Sequence, residues 1–308
     1  MFKLDVVVPT HNRCEDIRRF IDRNSWFFLN SGSNLFILDN ASDSKTRNFL
    51  YAKSISEPYL KVISNNDFCS ATDNVIKAFD LGLTNRLWIM GDRYIIPNDV
   101  QNIADSIESD DFILLSSKET NSLFGYTKIT KKNVHKDQDA LISASCISTI
   151  IYPLGYKPTP KDLRSASLST FPHTYIFVKN ISMGCVARYY KGICVLNTPD
   201  GGANWSYKDK WFEIGAEGWL DLSDQLRLAG LKINKRFYTC FVANTSLGSF
   251  RGMLKRRALG LISFRFYLEK RRLISKVFPL KSNLFFLIVS IIPMNILIYV
   301  FKKFKKIF

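Results

Sequence analysis

Leu4-Asp5-Val6-Val7-Val8-Pro9-Thr10-His11-Asn12-Arg13 is the stretch on which the fold turns. Leu4 to Val8 is a β-branched apolar run closed by Pro9, the signature of a strand buried on both faces. The polar tetrad Thr10 to Arg13 follows at once. Downstream, Ile17, Phe20, Ile21 and Phe28 recur at helical spacing, with Glu15, Asp16, Arg18 and Arg19 between them. Leu35-Phe36-Ile37-Leu38 reads as a second strand ending in the polar loop 39–44, and Tyr59 to Ile63 as a third. Ala71, Val75, Phe79 and Leu83 mark a helix face stopped near Gly82. Leu87-Trp88-Ile89-Met90 predicts a fourth strand ending at Gly91-Asp92, and Phe112 to Leu115 a fifth.

Strands separated by single helices predict right-handed βαβ units and an α/β, Rossmann-like fold with a mostly parallel central sheet flanked by helices. Ligands of such sheets bind outside the carboxyl ends of the strands. Four of those ends are polar here: Thr10-His11-Asn12-Arg13, Asp39-Asn40, Asn65-Asn66 and Asp92-Arg93. Taken together they suit a nucleotide, although each alone reads equally as an ordinary polar loop.

The chain has 308 residues, 46% hydrophobic and 14% aromatic, with only 15 Gly and 10 Pro, which excludes a disordered or collagen-like protein. Its net charge of +16 is uneven. Residues 1–250 carry 29 Lys and Arg against 26 Asp and Glu, whereas residues 251–308 carry 14 against the single acid Glu269. The basicity is a property of the tail, so no nucleic-acid partner is expected. The 6 cysteines form no CxxC pair, which predicts reduced thiols and no zinc site. Met1-Phe2-Lys3 leads directly into the first strand, so no secretory leader is expected.

Residues 118–250 are less regular. Segments 143–151, 168–180 and 206–230 read as apolar or amphipathic, with turns at 153–155, 157–160 and 199–202. The expected organisation is one domain over 1–250, with residues 1–117 as its nucleotide half and 118–250 completing the core and covering one side of the cleft. Residues 251–308 follow as a separate region.

Four motifs in register resemble the family 2 glycosyltransferases. Val6-Val7-Val8-Pro9-Thr10-His11-Asn12-Arg13 is similar to that family's opening strand and loop. Phe36-Ile37-Leu38-Asp39-Asn40-Ala41-Ser42 is similar to its second-strand loop, and Asn65-Asn66 with Asn74 to its asparagine-rich stretch. Leu87-Trp88-Ile89-Met90-Gly91-Asp92 stands where the family carries its acidic metal motif. The resemblance covers roughly residues 3–117. It implies a GT-A fold and sugar transfer from a nucleotide-sugar, UDP-linked by expectation. Donor contacts would come from Pro9, Thr10, His11, Asn12, Arg13, Asp39, Asn66, Asn74, Asp92 and Arg93, with Asp39 meeting the base. A turn or helix N-cap is the alternative role for Asp39.

The chain departs from the family at Asp92-Arg93-Tyr94, where a second carboxylate is missing. Two readings stay open. Asp92 holds a divalent metal (Mn²⁺ or Mg²⁺) with the diphosphate and waters, or Arg93 is the cation that neutralises the leaving group. For the base that deprotonates the acceptor, His173 in Phe171-Pro172-His173-Thr174-Tyr175 is the first candidate, because imidazole titrates near neutrality. A packing role for His173 is the alternative, and Glu213 and Glu217, four residues apart, compete with it. His135 among lysines reads as solvated surface, and Asp110-Asp111 as a turn.

Residues 251–276 interleave nine Lys and Arg with Leu254, Leu259, Phe264, Phe266 and Leu268, the composition of a helix lying on anionic lipid. Leu284 to Phe301 is uncharged but interrupted by Pro293 and Asn295, and Lys302 to Lys306 follow. Basic residues on both sides favour a re-entrant or interfacial anchor over a span. The expected activity is thus an inverting glycosyltransferase at the cytoplasmic face of a membrane. Its expected acceptor is a polyprenyl-diphosphate-linked saccharide in O-antigen or capsule assembly. A membrane-associated scaffold that has lost the chemistry is the non-enzyme reading. A nucleotidyltransferase is the other enzyme reading, and the lack of a Gly-rich loop after the first strand speaks against it.

Overall fold

A computed structural model describes residues 3–297 apart from 107–109, 119–124, 135 and 198–208. The chain divides into two compact units, Met1–Gly201 and Gly202–Phe308. Residues 209–250 fall in the second of these units, with the helices after them.

The first unit opens with β1 (Leu4–Thr10), α1 (Cys14–Ser31), β2 (Asn34–Asp39), α2 (Ser44–Ser56), β3 (Leu60–Ser64), α3 (Ala71–Asp80) and β4 (Arg86–Ile89). It continues through β5 (Tyr94–Ile95), α4 (Val100–Ser106), β6 (Phe112–Ser116), β7 (Thr127–Ile129) and α5 (Gln138–Ala144). β8 (Ile150–Leu154), α6 (Pro160–Ser167), α7 (Pro172–Ser182), β9 (Ala187–Cys194) and β10 (Leu196–Asn197) complete it. The main sheet has eight strands in the order β3-β2-β1-β4-β8-β6-β9-β7. β1, β2, β3 and β4 run parallel, as do β6 and β9, while β8 and β7 pair antiparallel with their neighbours.

β1 lies centrally because every side chain from Leu4 to Val8 is buried, as a strand covered on both faces requires. α1 packs against the sheet through Ile17, Phe20, Ile21, Asn24, Phe27 and Phe28, a stripe at i, i+3, i+4 spacing, and ends at Gly32 in the left-handed conformation (φ 64°). α2 did not stand out in the hydropathy pattern, since only Thr46 and Leu50 are buried on it; Asp43 starts it by accepting from the Thr46 amide at 2.8 Å. Parallel register sets Thr10 beside Asp39, and Asp39 beside Ser64, so the carboxyl ends of three strands finish level. Beyond β4, the Gly91 amide donates to Ser148 Oγ (3.0 Å), and an added Cβ on Gly91 would sit 3.0 Å from the Tyr94 ring. That close approach holds Asp92 at the same edge.

The second unit is helical. A π-helical turn, Glu213–Glu217, leads into α8 (Gly218–Leu228), followed by α9 (Lys235–Asn244), α10 (Phe250–Ala258), α11 (Phe264–Val277) and α12 (Leu280–Ile291). Its core is aromatic: the Trp219 ring stacks on Phe237 and Phe241 at 5.3 and 5.0 Å. Arg256, one of the basic residues of the tail, is fully buried, with its guanidinium 4.7 Å from the Trp211 ring centre and Nη1 donating to the Ser246 carbonyl at 3.0 Å. α12 stops at Ile291, just before Pro293, and among the described residues no helix is long and apolar enough to cross a membrane. Residues 298–308, the rest of the apolar run and the terminal lysines, lie outside the described residues.

Candidate active site

A cavity of about 370 Å³ opens at the level strand ends, lined by Pro9, Thr10, His11 and Arg13 from the β1 loop and by Asn40 beyond β2. Phe68, Ala71, Asn74 and Val75 supply a second wall, and Met90, Gly91, Asp92 and Ile147 a third. Three polar clusters give the cavity its chemistry.

The first is centred on Asp92, which is 4% exposed. Its Oδ2 accepts from Thr10 Oγ1 at 3.1 Å and its Oδ1 from Arg13 Nη1 at 2.9 Å. Burial raises the pKa of this carboxyl above its ordinary value, against the opposing pull of the Arg13 charge and the hydrogen bonds from Arg13 and Thr10. Arg13 itself is 51% exposed, so its guanidinium reaches the cavity while one N–H stays on Asp92.

The second cluster sets the β1 loop. His11 Nδ1 lies 2.7 Å from the Asn40 carbonyl, to which it can only donate, and Asn12 Nδ2 lies 3.1 Å from His11 Nε2. Asn12 Oδ1 accepts from the Asp43 amide, and the Asn12 amide donates to Ser42 Oγ. Asn12 (φ 52°) and Ala41 (φ 51°) are the non-glycine residues in the left-handed region among the described residues. Ala41 has no side-chain polar group to offset the strain, which costs on the order of 1–2 kcal/mol.

The third is an amide network behind the wall. Asn65 Nδ2 donates to Asn40 Oδ1 (3.1 Å) and Asn74 Oδ1 (3.2 Å), while Lys77 Nζ donates to Asn65 Oδ1 (2.9 Å). Asn40 also clasps Cys69 through its backbone in both directions, Nδ2 to the carbonyl and Oδ1 from the amide. Two cavity residues, Asn40 and Asn74, thus share one side-chain partner, Asn65.

Of the residues singled out from sequence, Pro9, Thr10, His11, Arg13, Asn74 and Asp92 line the cavity. Asn12 serves as a brace instead. Asp39 is fully buried and does not line it; Oδ1 accepts from the Ser42 amide at 3.2 Å and Oδ2 has no hydrogen-bond partner. Asn40, which the sequence places at the same polar strand end but not among the expected donor contacts, lines the cavity. Asn66 is exposed and outside the lining, and its neighbour Asn65 builds the network. Arg93 is also elsewhere: its Nε and Nη2 donate to Asp16 Oδ2 at 3.0 and 2.8 Å. The cation beside Asp92 is Arg13. The residue types Asn and Arg carried the signal, but which of two candidates turned inward depended on the backbone.

His173 does not line the cavity either. It sits in the first turn of α7, 5% exposed, with Nε2–H donating to the Ser145 carbonyl at 3.1 Å and Nδ1 without a partner. Burial pushes its pKa down to about 4, partly opposed by the Ser145 bond. Glu217 pairs with Lys270, and Glu213 is exposed; the π-helical turn between them replaces the α-helical spacing on which their pairing was read. Asp111, read as a turn residue, pairs with Arg188 at 3.0 Å. His135 lies outside the described residues.

Tested as a metal site, the donor set falls short. Among the described residues no group of three or more His, Cys, Asp or Glu could hold an ion. Asp92 is the single carboxylate in the cavity lining, and both its oxygens are engaged by Thr10 and Arg13. A divalent ion taking six or more oxygen ligands would find one carboxylate and a competing cation.

No protein-family model matches the sequence, and no curated protein does. Solved structures resemble the fold. The mannosyltransferase PcManGT from Pyrobaculum calidifontis, in complex with GDP-Man and Mn²⁺, is similar with a TM-score of 0.53 at 12% identity, over 99% of this chain and 88% of that one. S. aureus TarS 1-349 in complex with UDP-GlcNAc is similar with a TM-score of 0.56 at 14% identity, over 94% of this chain and 90% of that one. At such identities the likeness defines architecture: the chain has the GT-A fold.

Proposed function

We propose that this protein is an inverting glycosyltransferase that takes a sugar from a nucleotide-sugar, UDP-linked by preference. The observation that carries the reading is the cavity itself, set at the carboxyl ends of β1, β2 and β4 in a GT-A fold and lined by His11, Arg13, Asn40, Asn74 and Asp92. Parallel α/β sheets take their ligands at that edge. The Pro9–Arg13 loop would bind the donor, with Asn40 and Asn74 presented as fixed amides. Sugar transfer breaks the bond between the anomeric carbon and the diphosphate, so the site must meet negative charge growing on the leaving oxygens.

The acceptor we propose is a lipid-linked saccharide, a polyprenyl-diphosphate intermediate of surface-polysaccharide assembly such as O-antigen or capsule. The protein would then work at the cytoplasmic face of the membrane. What supports this is the second unit, where exposed Arg265, Arg271, Arg272 and Lys276 stand with exposed Phe264, Leu268, Leu280, Leu284, Ile288 and Ile291 on α11 and α12. Such a surface attracts anionic headgroups and buries apolar side chains at their boundary.

Purified protein incubated with UDP-, GDP- and dTDP-sugars and a synthetic lipid-diphosphate acceptor should extend the acceptor by one sugar with one donor, read by mass. Neither transfer nor slow hydrolysis of any donor would turn the assignment to the scaffold reading, which the lone, fully engaged carboxylate favours.

A further inference from the structure

We propose that Arg13, and not a divalent metal ion, supplies the positive charge that holds the donor's diphosphate in this cavity. The inference rests on the nucleotide-sugar reading above and specifies how its charged part is bound.

Among the cavity's lining residues Arg13 is the only Lys or Arg, and Asp92 is the only carboxylate. Arg93, the cation nearest to Asp92 in sequence, is committed to Asp16 through two nitrogens. A metal ion would need the Asp92 oxygens, and these already accept from Arg13 and Thr10. To enter, the ion would have to share the carboxylate with a guanidinium 2.9 Å away and remain beside that like charge.

A guanidinium in this position can do the ion's work. It carries five N–H donors in a planar fork, and one bond to Asp92 fixes the fork while leaving others for phosphate oxygens. Arg13 stands at the head of α1, on the loop that His11 and Asn12 brace against residues 40–43, so little side-chain freedom is lost on binding. Asp92 is therefore a positioning residue: nearly buried, held by Thr10, it aims the cation that meets the ligand. Because the α3 amino terminus also reaches the wall through Ala71 and Asn74, the local field adds to that of Arg13.

The test is calorimetric titration of the whole protein with UDP and GDP, and with uridine and guanosine, in excess EDTA and in Mn²⁺. The expected result is one nucleoside diphosphate bound with affinity equal within about 3-fold in both buffers, and no protein-bound Mn²⁺ by electron paramagnetic resonance, since the site has no ion to lose. Arg13→Ala should weaken the diphosphate about 30-fold or more, Arg13→Lys less, and neither should change nucleoside binding, because the lost bonds are charge-assisted contacts to phosphate. Arg13→Ala leaves the nearly buried Asp92 without its cation and should lower the melting temperature, so Arg13→Gln, which keeps an N–H for Asp92, serves as the second replacement should Arg13→Ala unfold. Diphosphate binding that appears only with Mn²⁺, or that survives loss of Arg13 unchanged, overturns the inference and leaves the nucleotide-sugar reading standing. No binding of any nucleotide in either buffer overturns both.

Discussion

The strand-end cavity and the start of α7 each hold a titratable side chain that the fold has withdrawn from water. Asp92 is 4% exposed and His173 is 5% exposed, and burial pushes both towards their neutral forms. They differ in what faces them. Asp92 is opposed by a cation and a hydroxyl and borders a space a ligand can enter. His173 meets a backbone carbonyl on one side and leaves Nδ1 with no partner on the other. Equal burial thus leaves one carboxyl on a cavity wall and one imidazole away from it, and the two differ in the company each side chain keeps.

That contrast can be broken most sharply at His173. His173→Ala should destabilise the protein by about 2–3 kcal/mol, through a lost buried ring and a stranded Ser145 carbonyl, with nucleotide affinity unchanged. Urea unfolding and calorimetry read the two effects; an intact fold with affinity down tenfold would move His173 into the site. The same residue sets an acid limit. Its folded pKa of about 4 lies below the ordinary 6.5, so the unfolded chain binds the extra proton first as pH falls. Stability contributed by the neutral ring is complete above pH 6.5 and declines towards pH 4, by about 2 kcal/mol between pH 7 and 5. The slope of unfolding free energy against pH should flatten in His173→Ala.

On the cavity side, Asn65→Ala should weaken nucleotide binding by about tenfold, since Asn40 and Asn74 both lose their common anchor. Unchanged affinity would mean that Cys69 and the Leu38 carbonyl suffice to hold them. The smallest effect is expected at Ala41, where glycine removes left-handed strain but adds freedom to the unfolded chain. Ala41→Gly should raise stability by under about 1 kcal/mol, visible as a small upward shift in melting temperature.

β1 to β4, β6, α1 and α3 were legible because each announces itself locally, whereas α2, with only Thr46 and Leu50 buried, did not. β1 is a continuous apolar run, and α1 shows its stripe from Ile17 to Phe28. The basic and apolar character of α10 and α11 was legible too, whereas the burial of Arg256 against Trp211 was not. β8 escaped notice because it begins at the end of the apolar segment 143–151 and runs to Leu154 through the stretch read as a turn at 153–155, and with it the antiparallel insertion between β4 and β6. A short apolar run carries no mark of its direction, which pairing alone decides. The membrane-facing role of the tail remains a proposal resting on its exposed side chains.

From its sequence alone this protein determined a parallel α/β sheet with polar residues at the tips of β1, β2 and β4, because period and polarity are properties of neighbouring residues. Only tertiary structure decided that Arg13 rather than Arg93 meets Asp92, that Asn65 rather than Asn66 is the anchor, and that His173 faces inward. Arg13 and Asp92 lie 79 residues apart, and a charge on one strand end acquires its partner only when the register of the sheet brings another end alongside.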